Sequence, residues 1–560
     1  MKLFHKRNDK HRQWVTLTGF LVLGFLFRLF LMRYHFAIGW DEPHYLQMAA
    51  SFASGRFMQG LHTYWTPMYP VCVAVFSFVF PNFEIAGRMV SMTCGTLVLL
   101  PIFFLAKKLF GSACAFWTIG LLALSPSFAF LSTEALAEPM FILFVVMGVA
   151  AGWKALESDS IRTSLLTAVL FGISYYTKPE GIGFWGIYVA VAGLWGIVDL
   201  IKTKGKKKIL IAVVSTVGFF IVACPYLLYL HGQTGRWTLH SKAFAAQQLG
   251  VREYSDSGVN YGQLSDDHAL LARDAIYHQG NFLKSINENR QPTRSVNISI
   301  LFRKFIINFY RTLKYAIPQT MGAVILILFF LGLFRSAWPL KKIGITLYLL
   351  SFVAAFWLFF IPLFFIVDRY FLPGLTICFV WIGKGAVELT SWTKDTFRSF
   401  FQKKPLSSIR IIPESKSIVV VLAVIFFFSW LPEFGRVIAR NEWSDQYWDE
   451  AVELKIAGLW LKAHASHESK IMSQNKSVNF YAGCTDVRKS YSFSIDSFDD
   501  ILAYARHQGV EYMVIAERYK ASNPNLTFLF GDEGIPDALK LVYENREHKG
   551  LSVRIFQVTY

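Results

Sequence analysis

Tyr69-Pro70-Val71-Cys72-Val73-Ala74-Val75-Phe76-Ser77-Phe78-Val79-Phe80 is the stretch on which the architecture turns. It is apolar enough to pass for a membrane span. It is also short against the roughly 20 residues a span needs, and Pro67 and Pro70 sit at its start. Counting it as a span would invert every later segment. Lys107-Lys108 and Lys202 to Lys208 would then face outward, against the tendency of basic residues to stay cytoplasmic. The stretch is therefore read as a juxtamembrane or re-entrant helix inside a large first outer loop, residues 35–84.

Working outward, eleven spans are predicted: 14–34, 85–106, 112–131, 139–156, 163–178, 181–201, 209–230, 318–335, 343–366, 370–389 and 417–433. With the N-terminus inside, every basic cluster falls on the cytoplasmic side: Lys2 to Arg12, Lys107-Lys108, Lys202 to Lys208, Lys341-Lys342 and Lys394 to Lys416. The odd count puts the C-terminal region outside. The first apolar run follows a basic start with no small-residue cleavage site after it, which reads as an uncleaved signal anchor.

Composition agrees. Of 560 residues, 54% are hydrophobic and only 17% charged, against about a quarter in ordinary soluble domains. The net charge of +18 lies in the short segments between apolar runs, so it sets topology and argues against a nucleic-acid partner. Five of the six cysteines lie in apolar segments and only Cys484 in a polar one, which excludes a disulfide framework.

The second outer loop, 231–317, is polar and turn-rich (Asp266-Asp267-His268, Asn287 to Pro292). It ends in a basic amphipathic stretch, Ile298 to Tyr310, expected at the membrane surface. The tail, 434–560, changes character. Trp448 to Ala463 and Ser497 to His507 have helical spacing, while Val510 to Ala516 and Leu551 to Val558 read as strands. Arg546 to Gly550 reads as the turn before the last strand. The division is thus a membrane domain, 1–433, and a small soluble α/β domain, 434–560.

Asp41-Glu42-Pro43 stands just past the first span. Pro43 suits the first turn of a helix, and capping alone would account for one of the two carboxylates. Acid–base work on a lipid-bound substrate would account for both. Other charges gather at the same boundary: Glu84 and Arg88, Glu134 and Glu138-Pro139, Lys178-Pro179-Glu180, and Asp368-Arg369-Tyr370. Lys178 and Arg369 stand out there, because outward-facing loops are not enriched in cations. Each residue alone reads as an interfacial charge that snorkels or pairs with a neighbour. Together, carboxylates and cations on one face are what transfer from a phosphate-linked donor needs.

Arg28, near the outer end of the first span, is expected to snorkel to the headgroups, with contact to a lipid phosphate as the sharper reading. His44 and His62 with Asp41 and Glu42 are residue types that could hold a divalent cation, at no spacing specific for a metal. Asn297-Ile298-Ser299 and Asn525-Leu526-Thr527 are short sequon matches. No Walker loop, dinucleotide fingerprint, HExxH or GxSxG is present, which argues against ATP-driven transport, dinucleotide chemistry, zincin proteolysis and α/β-hydrolase activity.

These pieces, in order, resemble one family. Trp40-Asp41-Glu42 with Tyr45 resembles the first-loop acidic motif of the GT-C membrane glycosyltransferases. Thr66-Pro67-Met68-Tyr69-Pro70 resembles the proline-aromatic motif that follows it. Ala86-Gly87-Arg88 with Ser91, ending in Lys107-Lys108-Leu109-Phe110-Gly111, resembles the second span. Glu138-Pro139, Lys178-Pro179-Glu180-Gly181 and Arg369-Tyr370-Phe371-Leu372-Pro373 match later elements. Over roughly residues 14–390 the chain is similar to bacterial members of the protein-mannosyltransferase-like group, which includes the aminoarabinose transferase to lipid A and the galacturonic-acid transferases to lipopolysaccharide core. It departs from the aminoarabinose transferases at Trp65-Thr66-Pro67, where they carry a lysine before the paired prolines. That leaves the sugar open.

The resemblance implies a polytopic α-helical membrane protein of GT-C-like fold, with about eleven transmembrane helices and a small C-terminal extracytoplasmic α/β domain. It implies an inverting transferase in a bacterial inner membrane. The donor would be an undecaprenyl-phosphate-linked sugar and the acceptor a lipopolysaccharide, other glycan or protein on the periplasmic face. Asp41 would be the general base, and Glu42 would orient it or help bind a divalent cation. Arg369, Lys178 and Arg88 would hold the donor phosphate, with Glu138, His62 and Tyr370 as further substrate-binding positions. No nucleotide-sugar site is implied. A transporter for a lipid-linked sugar is the main alternative, but it would place ionisable groups near the midplane and show repeated halves. A non-catalytic scaffold with a partner-binding tail is another.

Overall fold

The computed structural model describes residues 2–39, 41–235, 237–239, 298–363, 366–402, 415–439, 450–466, 468–484, 490–493, 497–520, 523–531, 534–545 and 551–559. Trp40, most of the second outer loop with Asp266 to His268 and Asn287 to Pro292, Trp448, and the expected turn Arg546 to Gly550 lie outside the described residues.

Each of the eleven apolar runs is helical. Among the described residues, eight helices are long and apolar enough to cross a membrane: His11–Met32, Phe83–Phe110, Glu138–Ser158, Gly181–Thr203, Lys207–Gln233, Leu301–Phe334, Leu340–Leu363 and Asp368–Ser399. The other three predicted runs are also helical but are shorter or broken. The run 112–131 breaks at Ser125, which is extended before Pro126, leaving helices Ser112–Leu124 and Pro126–Leu131. Ile161–Thr177 has 17 residues and rises about 25 Å, short of a bilayer core. In the helix Ser415–Ala439 the apolar part is Val419–Pro432. That helix also runs past residue 433, where the membrane domain was expected to end.

Met68–Ser77 is a ten-residue helix. It rises about 15 Å, half a bilayer core, so the stretch that decides the architecture is not a full span. Tyr69 anchors it by donating to the Gly87 carbonyl at 2.9 Å. The amphipathic segment expected on the membrane surface does not stand alone. Ile298–Arg311 continues through a π-turn, Thr312–Ala316, into Ile317–Phe334.

Arg28 corrects another expectation. It is fully buried and does not snorkel. Its guanidinium donates to the carbonyls of Gly24 at 3.0 Å and Ala123 at 3.3 Å, and lies 5.4 Å from the Phe128 ring centroid. The break at Ser125-Pro126 leaves carbonyls at the end of Ser112–Leu124 without helical partners. A cation there answers both the orphan carbonyl and the negative end of the helix dipole.

The helices Ile317–Phe334 and Asp368–Gln402 meet at reciprocal glycines. A Cβ on Gly332 would lie 1.9 Å from the Trp381 carbonyl oxygen, and one on Gly385 would lie 2.0 Å from that of Leu328. Backbone touches backbone, as in small-residue membrane interfaces. This contact helps seat the helix that begins with Asp368 and Arg369.

The tail is a five-stranded mixed sheet of β1 (Ile471–Ser473), β2 (Ser490–Tyr491), β3 (Tyr512–Ala516), β4 (Leu539–Asn545) and β5 (Val553–Val558), in the order β2-β1-β3-β5-β4. β1 runs parallel to β2 and β3, while β5 runs antiparallel to β3 and β4. Side chains alternate between two cores. Met472, Met513, Ile515 and Phe556 pack with Ile501 and Ala505 of the helix Phe498–Gln508. Ile471, Val514, Val553 and Ile555 pack with Leu454, Ala457 and Leu461 of the helix Val452–His464. Both faces of the sheet are therefore covered, as its parallel part requires.

Gly385→Leu is expected to lower the apparent Tm of the detergent-purified protein by several degrees and to reduce yield, since overpacking costs about 1–3 kcal/mol and here the obstacle is backbone. Lys384→Leu, one residue away, should leave both near wild type. Thermal unfolding of the two variants side by side checks this.

Candidate active site

Asp41 is the N-cap of the helix Glu42–Ala53, yet its side chain makes no capping hydrogen bond. Glu42 instead ties two loops together. One of its carboxylate oxygens accepts from the Gly39 amide and the other accepts from the Ala135 amide at 2.6 Å. Glu42 is buried, and burial raises its carboxyl above the ordinary value, against Arg88 and these two amides. The adjacent carboxylates thus divide: Glu42 ties the first loop to the turn before Glu138, and Asp41 points elsewhere.

Asp41 meets Arg369, with guanidinium and carboxylate at 2.5 Å. Arg369 also reaches Glu138 at 3.4 Å, and Lys178 meets the same Glu138 oxygen at 2.8 Å. Residues far apart in the chain therefore form one line, Asp41–Arg369–Glu138–Lys178. Its Glu138–Lys178 end is buried, with side chains 4% and 6% exposed. Its Asp41–Arg369 end is open, at 22% and 29%. Tyr370 borders both cations, with Lys178 Nζ 5.1 Å and Arg369 Cζ 5.8 Å from its ring centroid. Tyr45 sits nearby, its phenol held well above the ordinary value by burial and the charges of Glu138 and Asp41.

Local sequence explains the placement. Pro43 and Pro139 each occupy the first turn of a helix, putting Asp41 beside one helix start and Glu138 at the next. Lys178 is extended before Pro179 and closes Ile161–Thr177, while Glu180 opens Gly181–Thr203. Arg369 is the second residue of Asp368–Gln402. Four helices thus begin around the four charges, with the positive ends of their dipoles at one place.

The remaining candidates are placed differently. Arg88 is buried and pairs with Glu84 at 2.8 Å, donating also to the carbonyls of His35 at 2.9 Å and Ala37 at 3.4 Å. It braces the backbone before Asp41, and no bond among the described residues joins it to the charged line. His62 is buried, and its Nδ1 accepts from the amides of Tyr64 and Trp65 at 2.7 and 3.3 Å, shaping its own turn. His44 stacks on Trp65. Among the described residues, no three or more His, Cys, Asp or Glu side chains gather where they could hold a metal ion, so His44, His62, Asp41 and Glu42 do not form such a set.

Sequence reasoning missed a second layer. His35 Nδ1 donates to the Glu450 carboxylate at 2.6 Å, its Nε2 shares a hydrogen bond with the Thr133 hydroxyl at 2.8 Å, and Tyr481 of the tail donates to Glu84 at 3.0 Å. Glu84 was named among the boundary charges, but His35, Thr133, Glu450 and Tyr481 stand in no motif, so only the folded chain reveals them. Glu134 lies beside this layer, and burial pushes its carboxyl up to about 7, with His35 opposing.

With this geometry in view, residues 64–229 match the family described as dolichyl-phosphate-mannose-protein mannosyltransferase. No curated protein matches the sequence significantly. Among solved structures, ArnT from Cupriavidus metallidurans bound to undecaprenyl phosphate is similar at a TM-score of 0.56 and 12% identity, covering 97% of this chain and 98% of that one. The oligosaccharyltransferase AglB from Archaeoglobus fulgidus, in complex with an inhibitory peptide and a dolichol-phosphate, is similar at 0.54 and 12%, covering 89% of this chain and 69% of that one. The chain is a multi-pass membrane protein with the GT-C fold. The family match covers less than a third of the chain, and the structural likeness, at 12% identity, is one of fold.

Two outcomes follow from the charges. Lys178→Met leaves Glu138 buried with a weaker partner and should cost about 3–5 kcal/mol, while adding Glu138→Gln should recover much of the loss. Paired thermal melts in detergent read this. For Glu134, a raised carboxyl contributes stability below its unfolded value and loses it as pH rises through 7. Glu134→Gln should therefore raise the apparent Tm at pH 8 and change little at pH 4.5.

Proposed function

We propose that this protein is an inverting glycosyltransferase. It moves a sugar from a polyprenyl-phosphate donor, undecaprenyl phosphate in a bacterial inner membrane, to an envelope acceptor on the periplasmic face. The observation that carries the reading is the pairing of Asp41 with Arg369 at the open end of a charged line where four helices begin.

The chemistry follows from those groups. Asp41 takes the proton of the acceptor hydroxyl as its oxygen bonds to the anomeric carbon. The bond from that carbon to the phosphate oxygen breaks, and its electron pair leaves with the polyprenyl phosphate. The departing phosphate gains negative charge where Arg369, Lys178 and the helix dipoles are already aimed. Before the donor arrives, Arg369 is occupied by Asp41. A donor phosphate competes for the guanidinium, whose planar fork suits both anions, and so releases the carboxylate to act as base. Glu138 keeps both cations in place, and Tyr370 flanks the phosphate position. Glu42 acts through the backbone, by fixing the loop that presents Asp41.

Resemblance in fold to proteins crystallised with undecaprenyl phosphate and dolichol-phosphate supports a polyprenyl-phosphate donor. Charges at helix starts, away from span centres, favour a transferase over a transporter. In this reading residues 1–433 are the transferase domain and 434–560 a periplasmic α/β domain.

The test is transfer from radiolabelled undecaprenyl-phosphate sugars by purified protein in detergent, with a cell-envelope extract as acceptor. Wild type should transfer label. Asp41→Asn, with unchanged melting, should lose about 100- to 10,000-fold of the turnover. Full turnover by Asp41→Asn would remove Asp41 as the base. Absence of transfer from any donor would remove the transferase reading.

A further inference from the structure

The residues that lead into Asp41 have no secondary structure of their own. From His35 to Gly39 the chain is extended or bent, between the end of the first span and the helix Glu42–Ala53. His35, Ala37 and Ile38 are buried while Phe36 and Gly39 are exposed, and buried backbone amides need partners. The tail supplies them. The amides of Phe36 and Ala37 donate to one carboxylate oxygen of Glu450, the second at 2.8 Å. The amide of Ile38 donates to the Tyr481 hydroxyl at 3.0 Å. Lys455 donates to the Phe36 carbonyl at 2.7 Å. Three consecutive amides, some 410 residues or more from their acceptors, are thus held by the C-terminal domain.

The clamp is closed on the other side as well. The Tyr481 hydroxyl in turn donates a hydrogen bond to Glu84, which pairs with Arg88 and lies 3.4 Å from Lys455. Arg88 returns to the carbonyls of His35 and Ala37. Beyond Asp41, Gln47 donates to the Cys484 carbonyl at 2.9 Å, so the following helix is tied to the same domain. Asp41 therefore sits between two stretches that the tail holds. From Ile38 to Asp41 is at most about 10 Å of chain, so a shift in the clamp reaches the carboxylate directly.

We propose that the C-terminal domain holds residues 36–38 so as to place Asp41, with Glu450 and Tyr481 as positioning residues that touch no substrate. The kinetic part rests on the transferase reading above. The structural part does not. A carboxylate displaced by about 1 Å from its acceptor can lose on the order of 100-fold in rate while the donor still binds.

The experiment compares full-length wild type, Tyr481→Phe, Glu450→Ala and Glu450→Gln by amide hydrogen exchange and by donor-dependent transfer. Tyr481→Phe deletes one oxygen and Glu450→Gln keeps an acceptor, so both are variants that should fold. In Tyr481→Phe and Glu450→Ala, exchange of residues 36–38 should quicken at least tenfold while the sheet core stays protected. Their kcat should fall tenfold or more, with donor KM within twofold of wild type, and Glu450→Gln should recover part of both losses. Unchanged exchange at 36–38 in both disruptive variants would overturn the clamp. Faster exchange with wild-type kcat would overturn its role in placing Asp41. If wild type transfers no sugar from any donor, the transferase reading falls, and exchange alone then decides whether the tail holds the segment.

Discussion

One buried carboxylate organises the centre of this molecule. Glu138 faces Lys178 and Arg369 at once, with almost no exposure to water. A lone charge so placed would be expensive, and either cation without it would be nearly as costly. The elements that contribute these groups close on one another with each charge matched, and removing one member alone leaves the others unbalanced. Arg369, anchored from behind by Glu138, can then offer its outer face to Asp41. The arrangement keeps a cation fixed at the boundary where a phosphate would arrive.

Asp41 and Glu42 show how adjacent identical chemistry is separated by geometry. Glu42 turns inward and spends both oxygens on backbone amides. Asp41, at the cap position, leaves those amides to its neighbour and stays at the open end. The same dipeptide therefore supplies a structural tie and a reactive group.

The membrane fold was legible because its code is local. Apolar runs mark the helices, and Pro43, Pro139 and Pro179 mark where charged residues stand at helix ends. Charge outliers at one boundary were also legible, so Asp41, Glu138, Lys178 and Arg369 could be named without coordinates. Their partners could not. Nothing in the spacing says that Arg369 meets Asp41, or that Arg88 and His62 serve the backbone around them. Arg28 was misread for the same reason: its inward carbonyl partner exists because Pro126 breaks a different helix. Of the tail's five described strands, β3 and β5 were visible in sequence while β1, β2 and β4 were not, and neither was its grip on the first loop, since Glu450 and Tyr481 stand in unremarkable sequence.

That grip has a consequence for how the molecule is made. His35 and Glu450 are 415 positions apart, and Ile38 and Tyr481 are 443. Contacts of such sequence separation form late, because every intervening residue must be ordered or bypassed first. During synthesis the loop bearing Asp41 emerges with the first span, hundreds of residues ahead of its acceptors. A nascent chain can insert helix after helix and still lack an ordered centre until Glu450 and Tyr481 have been made.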